Sequence, residues 1–196
     1  MPGRIEIYDD FFAPDELTAV ERMMSDVKWR DGWKSSRAAP EYTQFNCDFT
    51  GTGASNRIDA RDRIAPEYAN ALLTALDAIE RKAIRAAHAL LRCYANLSRY
   101  GIDGMPHRDT AKENADDLTC LLYCVKGKWP LEWGGETVLC MGDEIVKSVM
   151  PRENRLLLFQ SNMVHIARGV TRACFEQRIV LVWKSAPEET SKPPRS

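Results

Sequence analysis

From Arg92 to Lys184 the chain is a succession of short apolar runs: RCYANLSRY, LTCLLYCV, GETVLC, EIVKSVM, RLLLFQ and QRIVLVWK. Each has the length of a strand, and Gly, Pro, Asn or Asp separates one from the next. Many short strands at this spacing argue for a sandwich or jelly roll. The chain before Arg92 reads differently. RIEIY is a short strand. APDELTAVERMMSDV is a helix: Pro14 suits its first turn, Asp15 and Glu16 suit its positive end, and Leu17, Val20 and Met24 recur at helical spacing. WRDGWKSS is a strand or a turn, and residues 34 to 65 are polar and irregular. APEYANALLTALDAIERKAIRAAHALL, Ala-rich and free of internal Gly, reads as one helix that includes His88. These N-terminal helices are expected to pack on one sheet. One domain is expected over residues 1–185, followed by a polar, Pro-rich tail, 186–196, expected to be disordered.

Length and composition narrow the functional classes. A chain of 196 residues suits one domain with one sizeable core. With 27 Lys and Arg against 28 Asp and Glu, the net charge is −1, which supplies no electrostatic reason to expect nucleic acid as a partner. No apolar run has the length of a membrane span, and MPGRIEIYDDFF lacks the features of a secretory leader. A cytoplasmic protein is therefore expected. The six cysteines form no Cys-x-x-Cys pair and fit free thiols better than a zinc or disulfide framework. Only three histidines are available to a metal.

Two of them carry the chemical argument. In GMPHRDT, His107 and Asp109 lie two apart and so point to the same side of an extended segment. His165 follows the apolar run RLLLFQ. Two imidazoles and one carboxylate on one face of an iron leave three positions open, the arrangement of non-haem Fe(II) oxygenases. A bidentate 2-oxo acid fills two of these and dioxygen the third. A loop ion pair and a packed strand-end histidine are the structural alternatives. Arg178 opens QRIVLVWK, where alternation puts Arg178, Val180 and Val182 on one face and Ile179, Leu181 and Trp183 on the other. A guanidinium on a buried face needs a partner and grips a carboxylate with two parallel hydrogen bonds. That carboxylate belongs either to a ligand or to a protein Asp or Glu. Tyr94, Asn96, Ser98 and Tyr100 share one face of the run leading to His107, which either lines a polar cavity or meets water.

Taken in order, RYGIDGMPHRDT, LLYCVKGKWPLEWGGET, SVMPRENRLLLFQ, MVHIARGV and QRIVLVWK resemble the prolyl-hydroxylase-like branch of the 2-oxoglutarate/Fe(II) oxygenase superfamily. The resemblance runs from Tyr94 to Trp183. It implies a mainly β fold, a double-stranded β-helix (jelly roll). It also implies Fe(II), 2-oxoglutarate as co-substrate, O2, and ascorbate as a candidate reductant. By resemblance His107, Asp109 and His165 are the iron ligands, and Arg178 binds the distal 2-oxoglutarate carboxylate. Tyr123 helps to hold that carboxylate, and Tyr100 and Tyr94 are candidates for the pocket wall. Gly134, Gly135 and Glu136 match a structural hairpin. The gap from His165 to Arg178 is longer than the family usually shows, so Arg168 and Arg172 compete for the Arg178 role. Asp109 separates the chain from halogenating relatives, which have a small residue there. The implied reaction converts 2-oxoglutarate to succinate and CO2 while an unactivated C–H bond is oxidised.

The chain before Arg92 matches no motif. In such folds these segments often roof the pocket, which makes Trp29, Trp33, Lys34, Tyr42, Phe45 and Asn46 candidate substrate contacts, with core packing as the alternative. A compact chain favours a small molecule or short peptide, with no nucleic acid and no membrane as partner; oligomeric state is left open. Three rival readings stand beside this one. The first is a protein-modifying prolyl or histidyl hydroxylase. The second is an AlkB-like nucleic-acid demethylase, favoured by the Arg172–Arg178 spacing but opposed by the neutral charge and by His165 lying close to Arg172. The third is a catalytically silent double-stranded β-helix.

Overall fold

The computed structural model describes residues 3–34, 43–51 and 57–188, leaving aside the Lys34 side chain. The strands are β1 (Ile5–Tyr8), β2 (Arg30–Lys34), β3 (Thr43–Asp48), β4 (His88–Ser98), β5 (Leu118–Tyr123), β6 (Thr137–Met141), β7 (Glu144–Val149), β8 (Leu156–Gln160), β9 (Val164–Ala167) and β10 (Arg178–Pro187). Two helices, α1 (Pro14–Ser25) and α2 (Pro66–Ile79), precede β4. Seven strands form one antiparallel sheet in the order β1-β8-β5-β10-β4-β3-β2, and three form a second in the order β7-β6-β9. The mainly β jelly roll with N-terminal helices is therefore the observed fold. Among the described residues no helix is long and apolar enough to cross a membrane.

Alternation explains the layers. In β5, β8 and β10 one set of side chains, including Leu122, Leu158, Leu181 and Trp183, packs into a cluster with Val20 and Met24 of α1 and Leu72 and Leu76 of α2. The intervening residues, Leu121, Leu157, Phe159, Val180 and Val182, point the other way and meet Leu139 and Val149 of the smaller sheet. Both faces of these central strands are covered, so their sequences read as unbroken apolar runs rather than alternating ones. In α1, Pro14 occupies the first turn and the Glu16 carboxylate accepts a hydrogen bond from the Ala13 N–H at 2.9 Å, satisfying one free helix-end donor.

Three expectations need correction. The second helix stops at Ile79, followed by a single π turn over Glu80–Ile84 and by Arg85 at φ 63°. His88 opens β4 rather than ending a helix. Ala89 and Leu90 pair with Ala186 and Ser185 of β10, and this pairing overrides the local helix preference of an Ala-rich stretch. Residues 43–48, expected to be irregular, form β3. Its cavity-side Gln44 and Asn46 are buried polar residues, so the usual apolar-inward signal is inverted. His165 follows β8, as expected, and lies within a further short strand, β9. Finally, β10 continues through Ala186, which is buried, so the domain passes residue 185. The tail from 189 and the candidate contact Tyr42 lie outside the described residues.

Candidate metal and co-substrate site

His107 and His165 are brought together by the backbone. The His107 N–H donates to the His165 carbonyl at 3.1 Å and the His165 N–H to the His107 carbonyl at 2.9 Å, so the two residues sit directly opposite each other. Their ring centroids are 4.2 Å apart. Each Nδ1 faces a backbone carbonyl two residues earlier: Met105 O at 2.8 Å from His107 and Met163 O at 3.2 Å from His165. A proton held on Nδ1 by such a partner leaves the Nε2 lone pair free. Both Nε2 atoms point towards the Asp109 carboxylate, at 3.7 and 3.6 Å. The three donor atoms lie within 4.8 Å of one another, the spacing one metal ion requires.

The carboxylate between them is fixed from several sides. The Asp109 side chain is 1% exposed. The Thr119 hydroxyl donates to Oδ2 at 2.8 Å, and the Lys184 ammonium stands 2.6 Å from Oδ1. Burial opposes its charge, but Lys184 and the two imidazoles prevail and hold the carboxyl well below its ordinary range. Burial lowers His165 to about 4, which leaves it neutral near pH 7, as metal binding requires. For Lys184 burial works against the charge, while Asp109 and Tyr94 more than offset it and raise its pKa.

Beside the triad lies a cavity of about 160 Å³. Arg178 lines it and is 1% exposed. Its Nε donates to the Gly135 carbonyl and its Nη2 to Thr137 Oγ1 at 3.0 Å. Among the described residues it forms no ion pair with a carboxylate. Burial pulls its pKa down, so an anion arriving here would relieve an unpaired buried charge. The competing arginines are elsewhere: Arg168 is exposed, and Arg172 Nε donates to the Tyr100 hydroxyl at 2.9 Å on the surface.

The sequence-predicted tyrosines separate. Tyr94 lines the cavity, and burial pushes it up to about 12. Tyr123 is buried behind the wall. Its hydroxyl pairs with Thr137 Oγ1 at 2.8 Å and with the Val149 carbonyl at 2.9 Å, so Thr137 rather than Tyr123 presents a hydroxyl to the cavity. Tyr100 is 54% exposed and not among the lining residues. The reason is that β4 ends at Ser98, before the alternation reaches it. Thr119, Thr137 and Lys184 were missed. Only Lys184 left a signal, since it shares the alternation of Arg178, Val180 and Val182. Of the proposed substrate contacts, Trp33 lines the cavity, Asn46 donates to the lining residue Asn96 at 2.7 Å, and Trp29 and Phe45 are not lining residues.

Comparison with known proteins agrees with this geometry. No curated protein sequence matches. A likeness in fold joins the chain to a prolyl hydroxylase from Trichoplax adhaerens, solved with a peptide fragment of the hypoxia inducible factor oxygen degradation domain. The identity is 18%, over 94% of this chain and 84% of that one, with a TM-score of 0.62. An oxidoreductase of the 2OG-Fe(II) oxygenase family from Burkholderia pseudomallei matches at 15% identity, over 93% and 84%, with a TM-score of 0.70. A non-haem α-ketoglutarate-dependent epimerase of nogalamycin biosynthesis matches at 14%, over 94% and 79%, with a TM-score of 0.63. Residues 95–184, which contain the triad and Arg178, match the family model described as the 2OG-Fe(II) oxygenase superfamily. Over that stretch, a little under half of its length, the chain is similar to the 2-oxoglutarate/Fe(II) oxygenase superfamily.

Proposed function

We propose that the protein oxidises an unactivated C–H bond of a small molecule or short peptide, by hydroxylation, at the expense of 2-oxoglutarate and O2. In this reading His107 Nε2, His165 Nε2 and one Asp109 oxygen hold Fe(II). Arg178 and Thr137 receive the distal carboxylate of 2-oxoglutarate, with Tyr123 supporting Thr137 from behind. The observation that carries the reading is a pairing: three converging metal donors, and in the same cavity a buried guanidinium that forms no ion pair with a carboxylate among the described residues. A silent scaffold would have no use for either.

Bound iron would supply the activation of dioxygen and the coupled decarboxylation of 2-oxoglutarate to succinate and CO2. The remaining work belongs to the chain. The carbonyls of Met105 and Met163 hold the imidazole tautomers, and Thr119 fixes the rotation of Asp109. Gly135 and Thr137 aim Arg178. Apolar Leu121, Phe159, Val180 and Val182 line the cavity and limit the water that reaches the reacting centre. Ascorbate enters only as a reductant that keeps iron ferrous. The family resemblance to enzymes of several outcomes leaves hydroxylation as our choice among hydrogen-abstraction reactions.

The test is succinate release. With Fe(II), O2 and 2-oxoglutarate the protein should form succinate slowly, and a true substrate should accelerate it. His165→Ala should abolish both. Iron retention together with no succinate from any candidate substrate would count against the reading.

A further inference from the structure

One pair of side chains at this site runs against ordinary sheet construction. Lys184 of β10 and Arg92 of β4 are direct register partners, and both line the cavity. Like charges set directly opposite one another destabilise a sheet. The surroundings cushion each cation separately. Arg92 Nε and Nη2 reach Asp48 at 3.1 and 2.6 Å, and its guanidinium lies 4.5 Å from the Trp33 ring centroid and 4.7 Å from that of Tyr94. The Lys184 ammonium lies 5.2 Å from the Tyr94 centroid and 2.6 Å from Asp109. Among the described residues, no Asp or Glu other than Asp109 lines this cavity.

The oxygenase reading changes what Lys184 needs. An Asp109 carboxylate that serves a metal shares its charge, and the Lys184 side chain, 17% exposed, then lacks a full counter-charge. Arg178 cannot be relieving the same need. Same-face positions six residues apart lie ~20 Å apart along a strand, so Lys184 and Arg92 address a different part of the cavity from the co-substrate arginine. We propose that Lys184 and Arg92 bind an anionic group, a carboxylate or a phosphate, of a small-molecule substrate, with the Trp33 indole closing over it. This inference rests on the oxygenase reading and narrows its substrate class.

The experiment uses the full chain loaded with Mn(II) and saturated with 2-oxoglutarate. Inorganic phosphate and acetate are titrated separately, and the relaxation of the phosphate ³¹P nucleus and of the acetate methyl protons is measured. At least one anion should relax faster and saturably, and which one does so separates phosphate from carboxylate chemistry. Lys184→Met and Arg92→Met should each weaken that binding tenfold or more, and in Arg92→Met, whose guanidinium pairs with Asp48 rather than with the triad, 2-oxoglutarate affinity should stay within about threefold. Acetamide, the neutral isostere, should not compete with acetate in the unsubstituted protein, a comparison that decides the matter even if a Met variant fails to fold. No enhancement with either anion, or enhancement that persists in the Arg92→Met/Lys184→Met double variant, would overturn the proposal, since the latter places the anion on the metal itself. Failure of the unsubstituted protein to hold Mn(II) and 2-oxoglutarate would overturn the oxygenase reading as well, and is seen before any anion is added.

Discussion

The two faces of β10 are built for different ends. On one, Leu181 and Trp183 are sealed against the N-terminal helices in a cluster that is almost wholly apolar. On the other, Val180 and Val182 are flanked by Arg178 at one end and Lys184 at the other, both facing a cavity. The helix face obeys the rules of core packing but for one, since Trp183 Nε1 is buried with no hydrogen-bond partner among the described residues. The cavity face breaks two: it buries a guanidinium with no carboxylate ion-paired to it among the described residues, and it sets an ammonium opposite Arg92. One strand thus separates stability from binding by nothing more than side-chain alternation. Departures from good packing mark where ligands belong.

Substitutions on each face should divide accordingly. The largest effect belongs to the cavity side: Asp109→Ala should abolish iron retention and turnover, read by metal analysis of the purified protein, while the protein remains folded. Next comes the helix face. Trp183→Ala should cost about 3–5 kcal/mol of stability in denaturant unfolding. Val182→Ala, one residue away on the other face, should cost about 1.5 kcal/mol, on ~0.8 kcal/mol per buried methylene-sized group. Equal costs would erase the distinction between the faces. Arg178→Ala should weaken 2-oxoglutarate binding about 10–100-fold, from the ~1.5–3 kcal/mol that a charge-assisted hydrogen bond contributes. Unchanged affinity would move the role to another residue. Gly135→Ala should cost about 1–2 kcal/mol, because its φ of +79° strains any other residue. A Cβ there would also stand 3.1 Å from Arg178 Cδ, so part of the 2-oxoglutarate affinity should be lost with it.

The smallest effect is a pH slope in the metal-free protein. Burial holds His165 at about 4 in the folded state, below the ~6.5 of an unfolded histidine. The unfolded chain therefore takes up the proton first. Stability from this residue is full above about 6.5 and declines as pH falls towards 4, by roughly 0.7 kcal/mol between pH 7 and pH 6. His165→Gln should flatten that part of the profile, and an unaltered slope would place the buried neutral imidazole in doubt.

How much of this was legible in the sequence follows the same division. The apolar runs of β5, β8 and β10 announce themselves, because both faces are buried and nothing interrupts the pattern. As candidate iron ligands and co-substrate arginine, His107, Asp109, His165 and Arg178 are legible because few other residue types could do the chemistry we propose for them. β3 was hidden because its buried residues, Gln44 and Asn46, are polar. The start of β4 was hidden because HALL follows an Ala-rich helix with no stop signal, and only pairing with β10 decides it. Tyr100 was misplaced by extending an alternation past the end of its strand. The opposition of Lys184 and Arg92 depends on strand register, which no local pattern encodes.

The central claim is that one iron and one 2-oxoglutarate meet between the triad and Arg178. The direct test is to add Fe(II) to the apoprotein without oxygen, titrate in 2-oxoglutarate and record the visible spectrum. A weak charge-transfer band in the green region, absent in Asp109→Ala and requiring more 2-oxoglutarate in Arg178→Ala, is the predicted result. Retained iron with no such band at any 2-oxoglutarate concentration would contradict it.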